Sequence, residues 1–239
     1  MRILVTRPDE AGRRTAERLK ALGHEPVLLP LMAAEHHPDI VRGALSRPHA
    51  ALALTSAEAV RVLVSLGEDL APYLDDAVFA VGEATAVAAL EAGFRKVQAA
   101  DGTGAGMVEV FGAQLARLTR AAPLLYLAGT PRSPALEAGL AERGIPILLA
   151  ESYFMRQLPI DAEDLQKALE PEIDAVLLYS RETTRRFFDL AVPGGASEVF
   201  RNVSFLCLSP NIAEAVPGHL RRNTRCAIHP DEESLFALL

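Results

Sequence analysis

ILVTRPDEAGRRTAERLKALGHEPVLL, residues 3–29, and LLYLAGTPRSPALEAGLAERGIPILLA, residues 124–150, are two copies of one plan. Each opens on an apolar run of strand length, turns through polar residues, continues at helical spacing and returns to an apolar run. In the first copy Arg2–Val5 is rich in strand-forming residues and Arg7-Pro8-Asp9-Glu10 makes the turn. Ala16, Leu19 and Leu22 then recur at i, i+3 and i+6 ahead of Gly23, a helix stop. Pro26–Leu29 reads as the next strand. Strands this apolar are buried on both faces, and a helix between parallel strands makes a right-handed crossover. The fold class is therefore α/β with parallel sheets.

The same alternation recurs at Ala51–Leu54, Val78–Val81, Leu124–Leu127, Ile147–Leu149, Ala175–Leu178 and Phe205–Leu208. Aligning the two copies places Gly23 opposite Gly144, an offset of 121 residues. LALTSAEAVRVL (52–63) then matches LLYSRETTRRFF (177–188), with Ser56 opposite Ser180 at an offset of 124. FAVGEATAVAAL (79–90) matches FLCLSPNIAEAV (205–216), with Gly82 opposite Ser209 at an offset of 127. Loops of slightly different length account for the drift, and each half is predicted to be a β-α-β unit followed by two strand–helix units. PLMAAEHHP (30–38) and ESYFMRQLP (151–159) break the pattern. The chain is expected to cross between domains there, so that a second domain (36–150) is inserted into a first (1–33 and 157–239) through linkers 31–35 and 151–156.

Composition excludes several classes. Half the residues are hydrophobic and 23% are charged, which suits a packed core and excludes general disorder. No apolar run approaches the roughly 20 residues of a membrane span, and MRILVTRPDE does not read as a signal peptide. Cys207 and Cys226 are too few for a disulfide or zinc framework, so a reduced, cytoplasmic setting is expected. The net charge of −7 gives no field for nucleic acid.

P-loop and nucleophile-elbow motifs are absent from the sequence. Gly102-Thr103-Gly104-Ala105-Gly106 reads as a turn leading a helix. His36-His37 reads as a solvated connector, because adjacent residues point apart in extended chain and no carboxylate–histidine motif accompanies them. Neither a metal nor an organic cofactor is expected.

The repeated chemical feature lies at strand ends. Thr6-Arg7, Thr55-Ser56 and Tyr179-Ser180 each close an apolar strand and open a helix, and Gly82 and Ser209 hold the equivalent turn in later units. Ser and Thr there serve either as helix caps or as part of anion sites, since free N–H groups at helix starts attract carboxylates without arginines. In open parallel sheets, ligands bind at these strand ends.

The order ILVTRP, LTSAEAV, AVGEATA, an L-x-G strand end, GIPILLAESY and LLYSRETTRRFF resembles the uroporphyrinogen-III synthase family over nearly the whole chain. The resemblance implies two flavodoxin-like domains joined by a two-stranded ladder of Leu31–Ala34 and Tyr153–Met155, in a monomeric, cytoplasmic enzyme. It implies closure of hydroxymethylbilane to uroporphyrinogen III with inversion of ring D through an azafulvene and a spiro-pyrrolenine. The upstream hydroxymethylbilane synthase is then a candidate transient partner. Tyr153 matches the family's interdomain tyrosine, either a proton donor to the leaving hydroxyl or an ordinary ladder residue. Thr6, Arg7, Thr55, Ser56, Gly82, Ala84, Thr85, Ser180, Ser209 and Asn211 match its substrate-holding strand ends. Ser209 stands where the family usually has glycine, Ile212 where it has threonine, and Arg181 where a small residue or proline is common. Two further readings compete with the synthase: a two-lobed receptor for small anions, and a degenerate synthase-like regulatory protein.

Overall fold

A computed structural model describes residues 1–111, 118–192 and 200–239. From the N-terminus run β1 (Arg2–Val5), α1 (Asp9–Ala21), β2 (Glu25–Leu28), β3 (Met32–His36) and α2 (Pro38–Leu45). Next come β4 (Ala51–Leu54), α3 (Ala57–Val64), β5 (Ala77–Ala80), α4 (Glu83–Glu91), β6 (Lys96–Ala99) and α5 (Gly104–Val110). They are followed by β7 (Leu124–Thr130), α6 (Ala135–Glu142), β8 (Ile147–Gln157) and α7 (Ala162–Leu169). The last elements are β9 (Ala175–Leu178), α8 (Arg181–Ala191), β10 (Ser204–Cys207), α9 (Pro210–Ala213), β11 (Thr224–Cys226) and α10 (Glu232–Phe236).

Contacts divide the chain into two compact units, Met1–Ala33 with Arg156–Leu239, and Ala34–Met155. In the first unit a parallel sheet runs β11-β10-β9-β1-β2. Ile3–Val5, Ala175–Leu178 and Phe205–Cys207 of its central strands are apolar and buried, and Ile3, Val5, Ala175, Leu177 and Leu206 form one core with Leu19 of α1 and Leu235 of α10. α1 ends as its sequence predicts: Gly23 takes φ +80°, a left-handed turn that its missing Cβ permits, and its N–H bonds back to the Lys20 carbonyl. Gly144 repeats this stop with φ +65° after α6.

The second unit holds the sheet β3-β8-β7-β4-β5-β6, parallel from β8 to β6. Alternation along its strands loads two cores, one on each face. Leu52, Leu54, Leu125 and Leu127 pack with Val60 and Leu63 of α3 on one side. Ala51, Ala53, Tyr126 and Phe79 pack with Met107, Phe111, Leu136 and Leu140 on the other. Strand partners inferred from the sequence repeat occupy matching places: β2-β1-β9-β10 in one sheet corresponds to β8-β7-β4-β5 in the other.

Three expectations need correction. Ile147–Leu149 is only the start of β8, which continues through ESYFMRQ as a strand of 11 residues. This half is amphipathic, with Ser152 and Tyr153 buried and Arg156 and Gln157 exposed, so it carries no apolar run. Edge strands β6 and β11 escaped detection for the same reason: KVQA and TRC have polar residues on the uncovered side. The third concerns His36, which lies at the end of β3 and has a partner rather than open solvent around it, as described below.

Candidate functional site

In the second unit, β4 ends in Thr55 and Ser56. Ser56 is the N-cap of α3, extended at φ −160° and ψ 145°, and its Oγ accepts the Glu58 N–H at 3.1 Å. Thr55 Oγ1 lies 3.1 Å from the Tyr126 hydroxyl. β5 leads into Gly82, the N-cap of α4, where a Cβ would stand 3.2 Å from the Gly102 Cα; glycine lets these two backbones meet. On α4 itself Ala84 is exposed and Thr85 is buried.

Tyr153 of β8 is 9% exposed, its ring laid over Gly129 of β7. Burial pushes the phenol above its ordinary value, a hydrogen bond from Ser56 opposes the rise, and the Glu58 charge adds to it. Thr55, Tyr126, Tyr153, Gly129, Gly102 and Arg132 line one cavity of about 270 Å³ at the carboxyl ends of the strands. Arg132 is held there by Glu137 at 2.6 Å and Glu151 at 2.9 Å. Hydrogen bonds from Arg132 and Thr130 keep the Glu151 carboxyl below its usual range. A hollow of about 550 Å³ lies at the opposite, amino end of β5 and β6, beside the Arg95–Asp75 ion pair. In an open parallel sheet that is the wrong end for a ligand.

The reading of His36-His37 as a solvated connector is corrected here. His36 Nε2 stands 2.6 Å from Glu58 Oε1, and Arg61 pairs with the other carboxylate oxygen. His37 meets the Phe154 ring edge-on at 4.9 Å. No motif announced the pair, because Glu58 lies 22 residues away and only packing brings it to β3.

The first unit treats its strand ends differently. Thr6 is fully buried and its hydroxyl donates to the Leu177 carbonyl at 3.4 Å. Arg7 donates to Glu232 at 3.0 Å and to Thr15 at 3.2 Å, with its guanidinium 4.1 Å over the Tyr179 ring. Glu232 also accepts from Thr15 and Tyr179, each at 2.6 Å, and pairs with Arg18 at 2.5 Å. Ser180 caps α8, accepting the Thr183 N–H at 3.1 Å and donating to Thr183 Oγ1 at 2.9 Å. Ser209 is the N-cap of α9 without a side-chain cap bond, and Asn211 Oδ1 accepts from Arg181 at 2.7 Å.

Of the residues picked from sequence, then, Thr55 and Tyr153 share a cavity with Ser56 beside them. The side chains of Thr6, Arg7 and Ser180 are engaged within their own unit. Tyr126 and Arg132 were missed. A tyrosine inside an aliphatic strand was a usable signal, since a buried phenol requires a partner.

Neither cysteine is placed as a nucleophile. Cys207 and Cys226 are register partners on β10 and β11; burial pushes the Cys207 thiol up to about 12 and also raises Cys226. Iodoacetamide at neutral pH is expected to label Cys226 slowly and Cys207 only after unfolding, as read by peptide mass spectrometry. Among the described residues no group of three or more His, Cys, Asp or Glu side chains is placed to hold a metal ion. Among them, no helix is long and apolar enough to cross a membrane.

Parallel strands ending in hydroxyl residues, glycines and a buried tyrosine around a small cavity define an open α/β protein with a candidate ligand site at its strand ends. The chain matches the family model HEM4, uroporphyrinogen-III synthase HemD, over residues 13–237, and it belongs to the uroporphyrinogen-III synthase family. Among solved structures, the uroporphyrinogen-III synthetase of Helicobacter pylori aligns with a TM-score of 0.66 at 18% identity, covering 100% of this chain and 98% of that one. A mutant uroporphyrinogen III synthase of the extreme thermophile Thermus thermophilus aligns with a TM-score of 0.56 at 24% identity, covering 93% and 88%. At these identities the likeness is one of fold, mixed α/β with parallel sheets. No curated protein sequence matches the chain.

Proposed function

We propose that this chain closes hydroxymethylbilane to uroporphyrinogen III, inverting ring D, without metal or organic cofactor. Family membership over residues 13–237 supports the reaction class, and the buried Tyr153 hydroxyl at a strand-end cavity is the observation that carries the chemistry. Tyr153 donates a proton to the departing hydroxyl of the bilane, water leaves, and an azafulvene remains. Attack at the substituted carbon of ring D gives the spiro-pyrrolenine, and fragmentation and re-closure give isomer III. Loss of a proton at re-closure returns it to the tyrosine.

Orienting the bilane is the enzyme's main contribution, and orientation alone supplies several kcal/mol in such reactions. Thr55, with Gly82, Ala84 and Thr85 at the start of α4, holds substrate carboxylates in the second unit. In the first unit Ser209 and the amide N–H groups of Asn211, whose oxygen is taken by Arg181, do so, while Thr6, Arg7 and Ser180 act through their backbone N–H groups, because their side chains already have protein partners. We read the two units as flavodoxin-like domains, 1–33 with 157–239 and 36–150, joined by a two-stranded linker at 31–35 and 151–156. The order 2-1-3-4-5, counted within the first unit, supports this. The reading also takes the enzyme as cytoplasmic and monomeric, receiving its unstable substrate in transient contact with hydroxymethylbilane synthase.

Freshly made hydroxymethylbilane tests the reaction. Chromatography of the oxidised products is expected to show isomer III, formed well above the spontaneous rate. Isomer I alone, at the background rate, would sink the proposal.

A further inference from the structure

Arg132, just past β7, has a guanidinium braced on two of its edges. Its Nε donates to Glu137 at 2.6 Å, and its Nη1 donates to Glu151 at 2.9 Å and to Thr130 Oγ1 at 3.4 Å. Nη2 takes no partner among the described residues. A guanidinium is a rigid planar fork of five N–H donors, so bracing two edges fixes its plane and leaves the Nη2 donors for a ligand. Among the described residues that line the cavity of about 270 Å³, Arg132 alone is charged, and Glu137 and Glu151 are not in that lining.

The same cavity is lined by Thr55 and Tyr126, whose hydroxyls lie 3.1 Å apart. Two hydroxyls hold two protons, and their mutual bond uses one. The second O–H has no protein acceptor among the described residues, although Tyr126 is only 1% exposed. A buried donor is costly unless something in the cavity accepts from it. One cation and a spare hydroxyl proton, with no carboxylate in the lining, call for an acceptor, and a charged acceptor gains most. The volume is below the roughly 300–1,000 Å³ of sites that enclose a drug-sized ligand. It suits one carboxylate-bearing arm of a tetrapyrrole rather than the whole molecule.

We propose that Arg132 and the Thr55–Tyr126 pair clamp one side-arm carboxylate of the bilane. Glu137 and Glu151 hold the guanidinium in place and also compete with that carboxylate for it, which keeps the clamp reversible. The clamp rests on the bilane as substrate, and it adds Arg132 and Tyr126 as specificity-determining residues for the reaction.

Competition gives the clamp a signature that an ordinary strut lacks. Arg132→Gln should raise KM for hydroxymethylbilane about tenfold, the loss of one charge-assisted hydrogen bond, with kcat near wild type. Glu151→Gln removes a competitor and should lower KM, by about threefold. A strut between α6 and β8 would be broken by either variant, so KM moving in the same direction in both overturns the proposal. An unchanged KM in Arg132→Gln does so too. Tyr126→Phe keeps its ring in the core and should raise KM about threefold. The ion pairs are part-exposed, with Glu137 at 32% and Glu151 at 41%, so both charge variants should melt near wild type.

A second readout needs no turnover. Isothermal titration calorimetry on the whole chain compares a monopyrrole bearing one acetate and one propionate arm with its diester. Wild type should bind the diacid about tenfold more tightly, and Arg132→Gln should lose that preference. Diacid bound no better than diester by wild type overturns the clamp. Wild type yielding only isomer I would instead refute the synthase reading, with the titration still judging the clamp.

Discussion

Replacing Gly129 with alanine is expected to cost as much turnover as removing the Tyr153 hydroxyl, on the order of 10²-fold in kcat or more. An alanine Cβ at this position would fall inside the Tyr153 ring, against both Cζ and Oη. The two residues are register partners across β7 and β8, where the pairing shifts between Ala128 and Gly129, so the backbones have little room to separate. The ring must therefore leave its seat and take its hydroxyl away from Ser56 and the cavity. Overpacking of this kind also lowers stability by about 1–3 kcal/mol. Tyr153→Phe provides the contrast, since it keeps the ring over Gly129 and should lose kcat with little change in melting temperature. In the double variant the losses in kcat should not add, because both remove one function. Steady-state kinetics with isomer analysis checks this, with spontaneous isomer I rising as isomer III falls. Gly129→Ala with wild-type kcat would show that the seating of Tyr153 is irrelevant to the chemistry.

Glu232→Ala is expected to destabilise the first unit by about 3 kcal/mol, the lower end for breaking a buried ion pair, because Arg18 is half exposed. For a chain of this size the melting temperature would fall by roughly 6–12 °C. One carboxylate, 17% exposed, takes Arg7, Arg18, Thr15 and Tyr179 as donors, tying α10 to α1 and β9. Removal leaves the part-buried Arg7 without its carboxylate and the Tyr179 phenol without its acceptor.

The pH dependence has a definite sign. Burial alone would raise the Glu232 carboxyl, but the hydrogen bonds from Thr15 and Tyr179 and the charges of Arg7 and Arg18 outweigh it and hold the group below its ordinary value. A depressed folded-state value contributes stability that is complete above the unfolded carboxyl's value of about 4.3 and fades as pH falls through the folded one. Urea unfolding of wild type and Glu232→Gln across this range should therefore show a gap at neutral pH that closes in acid. A gap constant with pH would mean that the carboxylate's charge is not what holds α10.

How far the chain could be read from its letters depended on how local each feature was. The central strands β1, β4, β7, β9 and β10 were legible because burial on both faces demands continuous apolar runs. Edge strands β6 and β11 were not, and Tyr153–Met155 of β8 was expected as a strand only through the family resemblance, because one covered face leaves only a weak alternation. Ser56 and Ser180 were legible as helix starts, and both accept a backbone N–H from their helices. Arg7 at a strand end looked equally open to a ligand, until Glu232, 225 residues away, occupied it. The His36–Glu58 pair and the Thr55–Tyr126 contact were likewise hidden, since neither belongs to a continuous motif.

By itself the sequence determined the α/β class, the two-fold repeat and the positions where strands hand over to helices. These follow from hydrophobic periodicity and from cap and stop residues, which act over a few neighbours along the chain. Only the tertiary structure decided which strand-end groups stay open and which are spent on protein partners. It seated Tyr153 over Gly129 beside Ser56, and it closed Arg7 onto Glu232. Those outcomes depend on side chains that meet only when distant segments pack, and no local pattern encodes their meeting.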